Sequence, residues 1–164
     1  MKIKVLSMTI CVFAGHREVY QSGIDTKIEE AINRLLQTDN KFVFFTGGMG
    51  KFDDMCSSAV RSAKRCHPNL NISLTLVLPY MSNRLNTDKE YYEYRYDEII
   101  IPEGMDNVHY KAAIKKRNRW MVDRADHVIA YVYREFGGAS ETLKYARKQG
   151  KPVINLASAL FTQA

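Results

Sequence analysis

The stretch RNRWMVDRADHVIAYVYREFGGASET, residues 117–142, decides the fold. Its opening predicts the end of a helix over 117–124, and its apolar run predicts a strand over 127–133. The Gly137-Gly138 pair predicts a loop that opens another helix near Ser140. Open α/β sheets are built from strands that pass through a glycine loop into a helix. In such sheets ligands sit beyond the carboxyl ends of the strands, where glycines admit close backbone approach and helix N-termini favour anions.

Two other stretches follow the same order. Residues 9–13 lead into Ala14-Gly15-His16-Arg17, and residues 41–45 (KFVFF) lead into Thr46-Gly47-Gly48-Met49-Gly50. Parallel strands would bring all three loops to one edge of a sheet, so one shared cleft is expected.

The rest of the chain fills in around these units. Residues 22–37 predict a helix with Ile24, Ile28, Ala31, Ile32, Leu35 and Leu36 on one face, and Thr26 and Glu29 have capping-box spacing. A helix of about sixteen residues is expected after Gly50, turning Met55, Ala59, Ala63 and Cys66 inward until Pro68-Asn69 stops it. A strand over 72–78 closes at Pro79. In the irregular segment 80–105, Tyr91, Tyr92, Tyr94 and Tyr96 fall on a short helix before the apolar triplet 99–101. These tyrosines suit base stacking, core packing and an oligomer contact equally. Residues 107–123 read as a helix made basic by Lys111, Lys115, Lys116, Arg117 and Arg119, a pattern that a solvated face also explains. The last helix spans 140–149, Gly150 holds the C-cap position, and Pro152 leads into a strand over 153–155. The alternation predicts a single α/β domain over 1–164. That domain is Rossmann-like and doubly wound, with a mainly parallel sheet and helices on both faces.

Composition narrows the function classes. The 164 residues are 46% apolar and 26% charged, the profile of an ordinary globular protein with no membrane span, and a cytoplasmic location is expected. Met1-Lys2-Ile3-Lys4 and the following run to Val12-Phe13-Ala14 imitate a signal peptide, but Ser7 and Thr9 interrupt the run, so it is read as the first strand. The net charge of +6 and pI near 9.2 suit a polyanionic partner. That partner is expected to be a small phosphate-bearing ligand, with nucleic acid the weaker alternative. Cys11, Cys56 and Cys66 lack CxxC spacing and read as reduced thiols; neither a metal nor a resident cofactor is expected.

The candidate site residues follow from the loops. Gly47, Gly48 and Gly50 could present backbone N–H groups to a phosphate, although no Walker pattern follows them and a tight turn needs the same glycines. Thr46 and Asp53 flank that loop; Asp53 could accept ribose hydroxyls or cap the helix, and Asp54 could share either task. Gly15, His16 and Arg17 offer a cation suited to bidentate recognition of phosphate or carboxylate. Gly137, Gly138, Ser140 and Thr142 form the third loop. Glu141 beside them is the candidate catalytic carboxylate, though acids also favour a helix's first turn for the dipole alone.

These motifs, with Arg117-Asn118-Arg119-Trp120-Met121-Val122-Asp123 and Tyr145-Ala146 followed by Gly150-Lys151, resemble the YpsA-like branch of the SLOG superfamily. That Rossmann-like group also holds the DNA-uptake protein DprA and the LOG phosphoribohydrolases. The resemblance spans roughly residues 11–154. It implies a nucleotide or nucleotide-derived small-molecule ligand, held by the loop residues above together with Arg117 and Asn118, and it implies a homodimer. Arg117, four residues before Met121, matches the LOG arginine, but the LOG acids fall on Leu143 and Lys144. A binder is therefore implied first. LOG-like cleavage of a nucleotide's N-glycosidic bond by Glu141 and Arg117 is the alternative, and DprA-like DNA binding is the second alternative.

Overall fold

The computed structural model describes residues 7–158. The chain alternates strand and helix: β1 (Thr9–Gly15), α1 (Ile24–Leu35), β2 (Lys41–Thr46), α2 (Lys51–Cys66), β3 (Asn71–Val77), two short helices α3 (Arg84–Thr87) and α4 (Lys89–Arg95), β4 (Glu98–Ile100), α5 (Tyr110–Arg124), β5 (His127–Tyr131), α6 (Gly138–Lys148) and β6 (Val153–Asn155). The strands form one sheet in the order β4-β3-β2-β1-β5-β6, with every neighbouring pair parallel. The expected fold is observed, and the sheet is wholly parallel among the described strands.

The winding positions the site. From β1 the chain steps outward through β2 and β3 to β4, then crosses back to start again at β5 on the other side of β1. Right-handed crossovers in opposite directions place their helices on opposite faces. Alternate residues of β1 show both faces covered. Cys11 and Phe13 pack with α1 and α2 residues such as Ile28, Phe52 and Val60, whereas Val12 and Ala14 pack with Met121, Val122, Leu143 and Ala146 of α5 and α6. The reversal between β1 and β5 leaves the crevice that open sheets use for ligands.

Three polar side chains finish the ladders. Ile10 N–H donates to Asp126 Oδ2 at 2.8 Å, and Leu74 N–H donates to Asp97 Oδ2 at 2.8 Å. The Asn155 amide acts as a peptide unit for Val132, accepting from its N–H at 3.0 Å and donating to its carbonyl at 3.0 Å.

Several expected boundaries move. α1 starts behind Gly23 with no side-chain cap, so Thr26 lies inside the helix and makes no capping box. α5 starts at Tyr110 rather than 107, because Asn107 adopts a left-handed conformation with φ 62° that a helix cannot include. β5 stops at Tyr131, two residues early, where the Asn155 side chain takes over the pairing. Cys66, expected to face inward, is exposed at the last position of α2, while Cys11 and Cys56 are buried. The tyrosine segment divides: Tyr96 is buried and Tyr92 packs on it, but Tyr91 and Tyr94 face solvent. The basic Met1–Lys4 start lies outside the described residues. No helix among the described residues is long and apolar enough to cross a membrane.

Candidate functional site

A cleft of about 450 Å³ opens at the carboxyl ends of β1 and β5, within the range of small-molecule sites. All three glycine loops reach it. Gly15 ends β1 and His16 and Arg17 follow it, Gly47 and Met49 follow β2, and Tyr133, Arg134 and Gly138 follow β5, while Asp53, Arg117, Asn118 and Thr142 close it from α2, α5 and α6. Nine sequence-derived candidates thus meet in one cavity.

Arg117 is the structural centre of the wall. Only 2% exposed, it lies under the β2 loop. Its Nη1 donates to the Val77 carbonyl at 2.6 Å and the Gly47 carbonyl at 3.3 Å, and its Nε donates to Asn118 Oδ1 at 2.8 Å. Position 47 has to be glycine for this packing, since a Cβ there would stand 2.9 Å from the guanidinium carbon. Burial lowers the Arg117 pKa to about 10, against the pull of the Asp53 carboxylate. Arginine remains charged at that value.

The β2 loop is braced from within the chain. Gly48 N–H donates to Thr46 Oγ1 at 3.2 Å, Met49 N–H donates to Asp53 Oδ2 at 2.9 Å, and Lys51 N–H donates to the Arg17 carbonyl at 2.7 Å. Gly50 closes the loop at φ 95°, in the region that favours glycine, with its α-carbon against the Arg17 backbone. The Gly48 and Met49 N–H groups are thus committed within the chain, and Asp53 and Asp54 are the acids of the first turn of α2. Two of the four N–H groups expected to cradle a phosphate at Gly47–Gly50 thus brace the loop from within. Thr46, Gly48 and Gly50 support it from outside the cavity lining.

The β5 loop is the reverse case. No side chain caps α6, and the N–H groups of Gly138, Ala139 and Ser140 precede the first intrahelical bond, from Glu141 N–H to the Gly137 carbonyl at 3.0 Å. Those donors point where the helix dipole favours an anion. Arg134 stands beside this turn with its guanidinium near the rings of Tyr133 and Phe136, at 5.7 and 4.8 Å. Gly137 precedes the turn, and Ser140 is buried behind it.

Burial shifts two groups in the cleft toward their neutral forms. His16 is 3% exposed, its ring meets Tyr133 edge-on at 4.4 Å, and its Nε2 has no hydrogen-bond partner. Burial, aided by Arg134, lowers its pKa to about 4. Asp53 is 7% exposed, and burial raises its pKa to about 7 although the Met49 N–H and Arg117 pull it down. Asp53 acts as a loop brace, while the His16 ring borders the cavity with its Nε2 buried and unpartnered.

Glu141 is placed elsewhere. It is exposed and lines a neighbouring groove between α5 and α6, 3.8 Å from Lys115. It is thus separate from Arg117, the residue expected to act with it. Arg134, Tyr133 and Met49 were not anticipated; an arginine three residues before a glycine pair, just past a strand's carboxyl end, was the available signal for Arg134. Among the described residues no group of three His, Cys, Asp or Glu side chains could hold a metal.

No family model matches the chain. It is 26% identical over 137 residues to the uncharacterized SPbeta prophage-derived protein YoqJ of Bacillus subtilis strain 168, across 74% of this chain and 79% of that one. Among solved structures it is similar to DNA processing protein A (DprA) of Streptococcus pneumoniae, with a TM-score of 0.63 and 17% identity over 90% of this chain and 50% of that one. The Helicobacter pylori DprA, solved for its single-stranded DNA binding mode, gives a TM-score of 0.62 at 18% identity, over 88% and 63% of the two chains. The molybdenum cofactor binding protein of Rippkaea orientalis gives 0.59 at 21% identity, over 97% and 82%. These are likenesses of fold, and the chain spans half of the first DprA and 63% of the second.

Proposed function

We propose that this protein binds a nucleotide or nucleotide-derived ligand in the cleft between β1 and β5, as a cytoplasmic member of the YpsA-like branch of the SLOG superfamily. One observation carries the reading: Arg17, Arg117 and Arg134 line a single cavity, and none of them forms an ion pair among the described residues. Unpaired guanidinium groups around a cavity call for an anion, and the first turn of α6 supplies the matching N–H donors. The uncharged rings of His16 and Tyr133 border the same cavity and suit the uncharged part of the ligand, a sugar or a base. Arg117 supports the wall from behind, and Arg17 and Arg134 supply the reachable charge.

Binding is favoured over glycosidic hydrolysis because Glu141 faces the outer groove and not the cavity. The test is calorimetric titration of the four ribonucleoside 5′-monophosphates into the protein and into Arg17→Ala and Arg134→Ala. Each substitution is expected to weaken binding by about tenfold, the worth of one charge-assisted contact. Melting temperatures should stay within a few degrees, since Arg17 is exposed and Arg134 makes no ion pair among the described residues. Unchanged affinity in both variants would refute the site.

A further inference from the structure

The groove between α5 and α6 has no part in the reading so far. It encloses about 550 Å³, and Lys111, Lys115, Arg119, Lys144 and Lys148 line it against a single acid, Glu141. The only ion pair among these is Lys115 with Glu141, both more than half exposed, which neutralises little. The groove continues the cleft, since Ile114, Asn118, Gly138 and Thr142 border both. The shared border includes the first turn of α6, where the free N–H groups favour a phosphate. Beyond it, the Arg119 guanidinium lies 4.9 Å above the Tyr145 ring, which is fixed by the Tyr145 hydroxyl donating to Asp123 Oδ1 at 2.6 Å. A guanidinium seated on an aromatic ring presents a flat, cationic surface of the kind on which bases stack.

We propose that this groove is a second subsite, and that the ligand is a phosphate-linked dinucleotide with one nucleotide in the cleft, its linking phosphate at the first turn of α6 and its second nucleotide on Arg119 and Tyr145. The inference rests on the cleft binding a nucleotide. A mononucleotide leaves the groove and its cations unused; a second nucleotide adds a base to stack and a phosphate to pair.

The experiment titrates each ribonucleoside 5′-monophosphate and the matching 5′-phosphorylated di- and trinucleotides into the protein, into Arg119→Ala and into the double variant Lys111→Glu, Lys148→Glu. The best dinucleotide should bind about tenfold or more tighter than its monomer, with a steeper dependence on salt. Both variants should remove that gain and leave monophosphate affinity unchanged, with unaltered melting temperatures showing that they fold. Equal affinity of monomer and dinucleotide would overturn the subsite and leave the cleft standing. A variant that lowers both affinities equally would do the same. A trinucleotide gaining as much again would replace the two-nucleotide ligand with a longer strand. No binding by any of them would overturn the cleft reading and this inference together.

Discussion

Replacing Asp53 by Asn tests whether burial governs the chemistry of the cleft. In the folded protein the Asp53 pKa stands near 7, against 3.8 for an ordinary Asp. Between about pH 4 and pH 7 the folded state keeps a proton that the unfolded chain has released, so this group makes stability fall as pH rises through that window. At about 1.4 kcal/mol per pH unit the full effect is about 4 kcal/mol, reached above pH 7. His16 works in the opposite sense. Its folded pKa is near 4, below the ordinary 6.5, so the unfolded chain takes up the proton first and stability falls as pH drops from 6.5 to 4. That contribution is about 3 kcal/mol. The two slopes offset one another below pH 6.5, and the unsubstituted protein alone would show neither. Urea unfolding followed by circular dichroism at pH 4.5 and pH 8 separates them. The stability of Asp53→Asn minus that of the unsubstituted protein should rise by about 3 kcal/mol from the lower to the higher pH, and the same difference for His16→Gln should fall by about 2 kcal/mol. An Asp53→Asn difference constant to within about 0.5 kcal/mol would mean that Arg117 holds the carboxylate ionised and that burial is the weaker force.

Two other outcomes follow from the packing. Gly47→Ala puts a Cβ against the Arg117 guanidinium and strains its bond to the Val77 carbonyl, so it should cost about 1–3 kcal/mol in urea unfolding, whereas Gly138→Ala, with open space around it, should cost well under that. In the native protein a thiol reagent should label Cys66 quickly, while Cys11 and Cys56 react only on unfolding, because burial excludes the reagent and raises both thiol pKa values. Early labelling of all three would contradict the buried placement of β1 and α2.

The fold was legible because both kinds of signal repeat. Continuous apolar strands such as KFVFF alternate with helices whose apolar residues recur every three or four positions, and turn glycines separate them. The cleft was legible as the place where three such loops must converge. What the loops do inside it was not. Gly47-Gly48-Met49-Gly50 reads the same whether its N–H groups face a phosphate or its own Thr46 and Asp53, because that choice depends on side-chain contacts. Arg117 reads as one of five basic residues on a helix. Its burial follows from the empty space above Gly47, on an element 70 positions away. Glu141 could have been placed from sequence. The inward face of α6 carries Leu143 and Ala146, and a residue two positions before Leu143 lies about 200° around the helix from it, on the outer side. The tyrosine segment was legible as one short helix, α4, whereas α3 escaped because its four polar and apolar residues carry no period.

Because both faces of the sheet are covered, the strands carry no alternation of polar and apolar residues. Cys11, Val12, Phe13 and Ala14 are all buried, and so are Val128 through Val132. A strand displaced by one position would still find apolar surroundings on either side, so hydrophobicity fixes the sheet's composition but leaves its alignment weakly determined. The alignment information is carried by Asp126, Asp97 and Asn155, whose side chains each meet one particular peptide group of a neighbouring strand and lose it on any slip, odd or even. Those three residues thus encode the registration on which the meeting of the glycine loops depends.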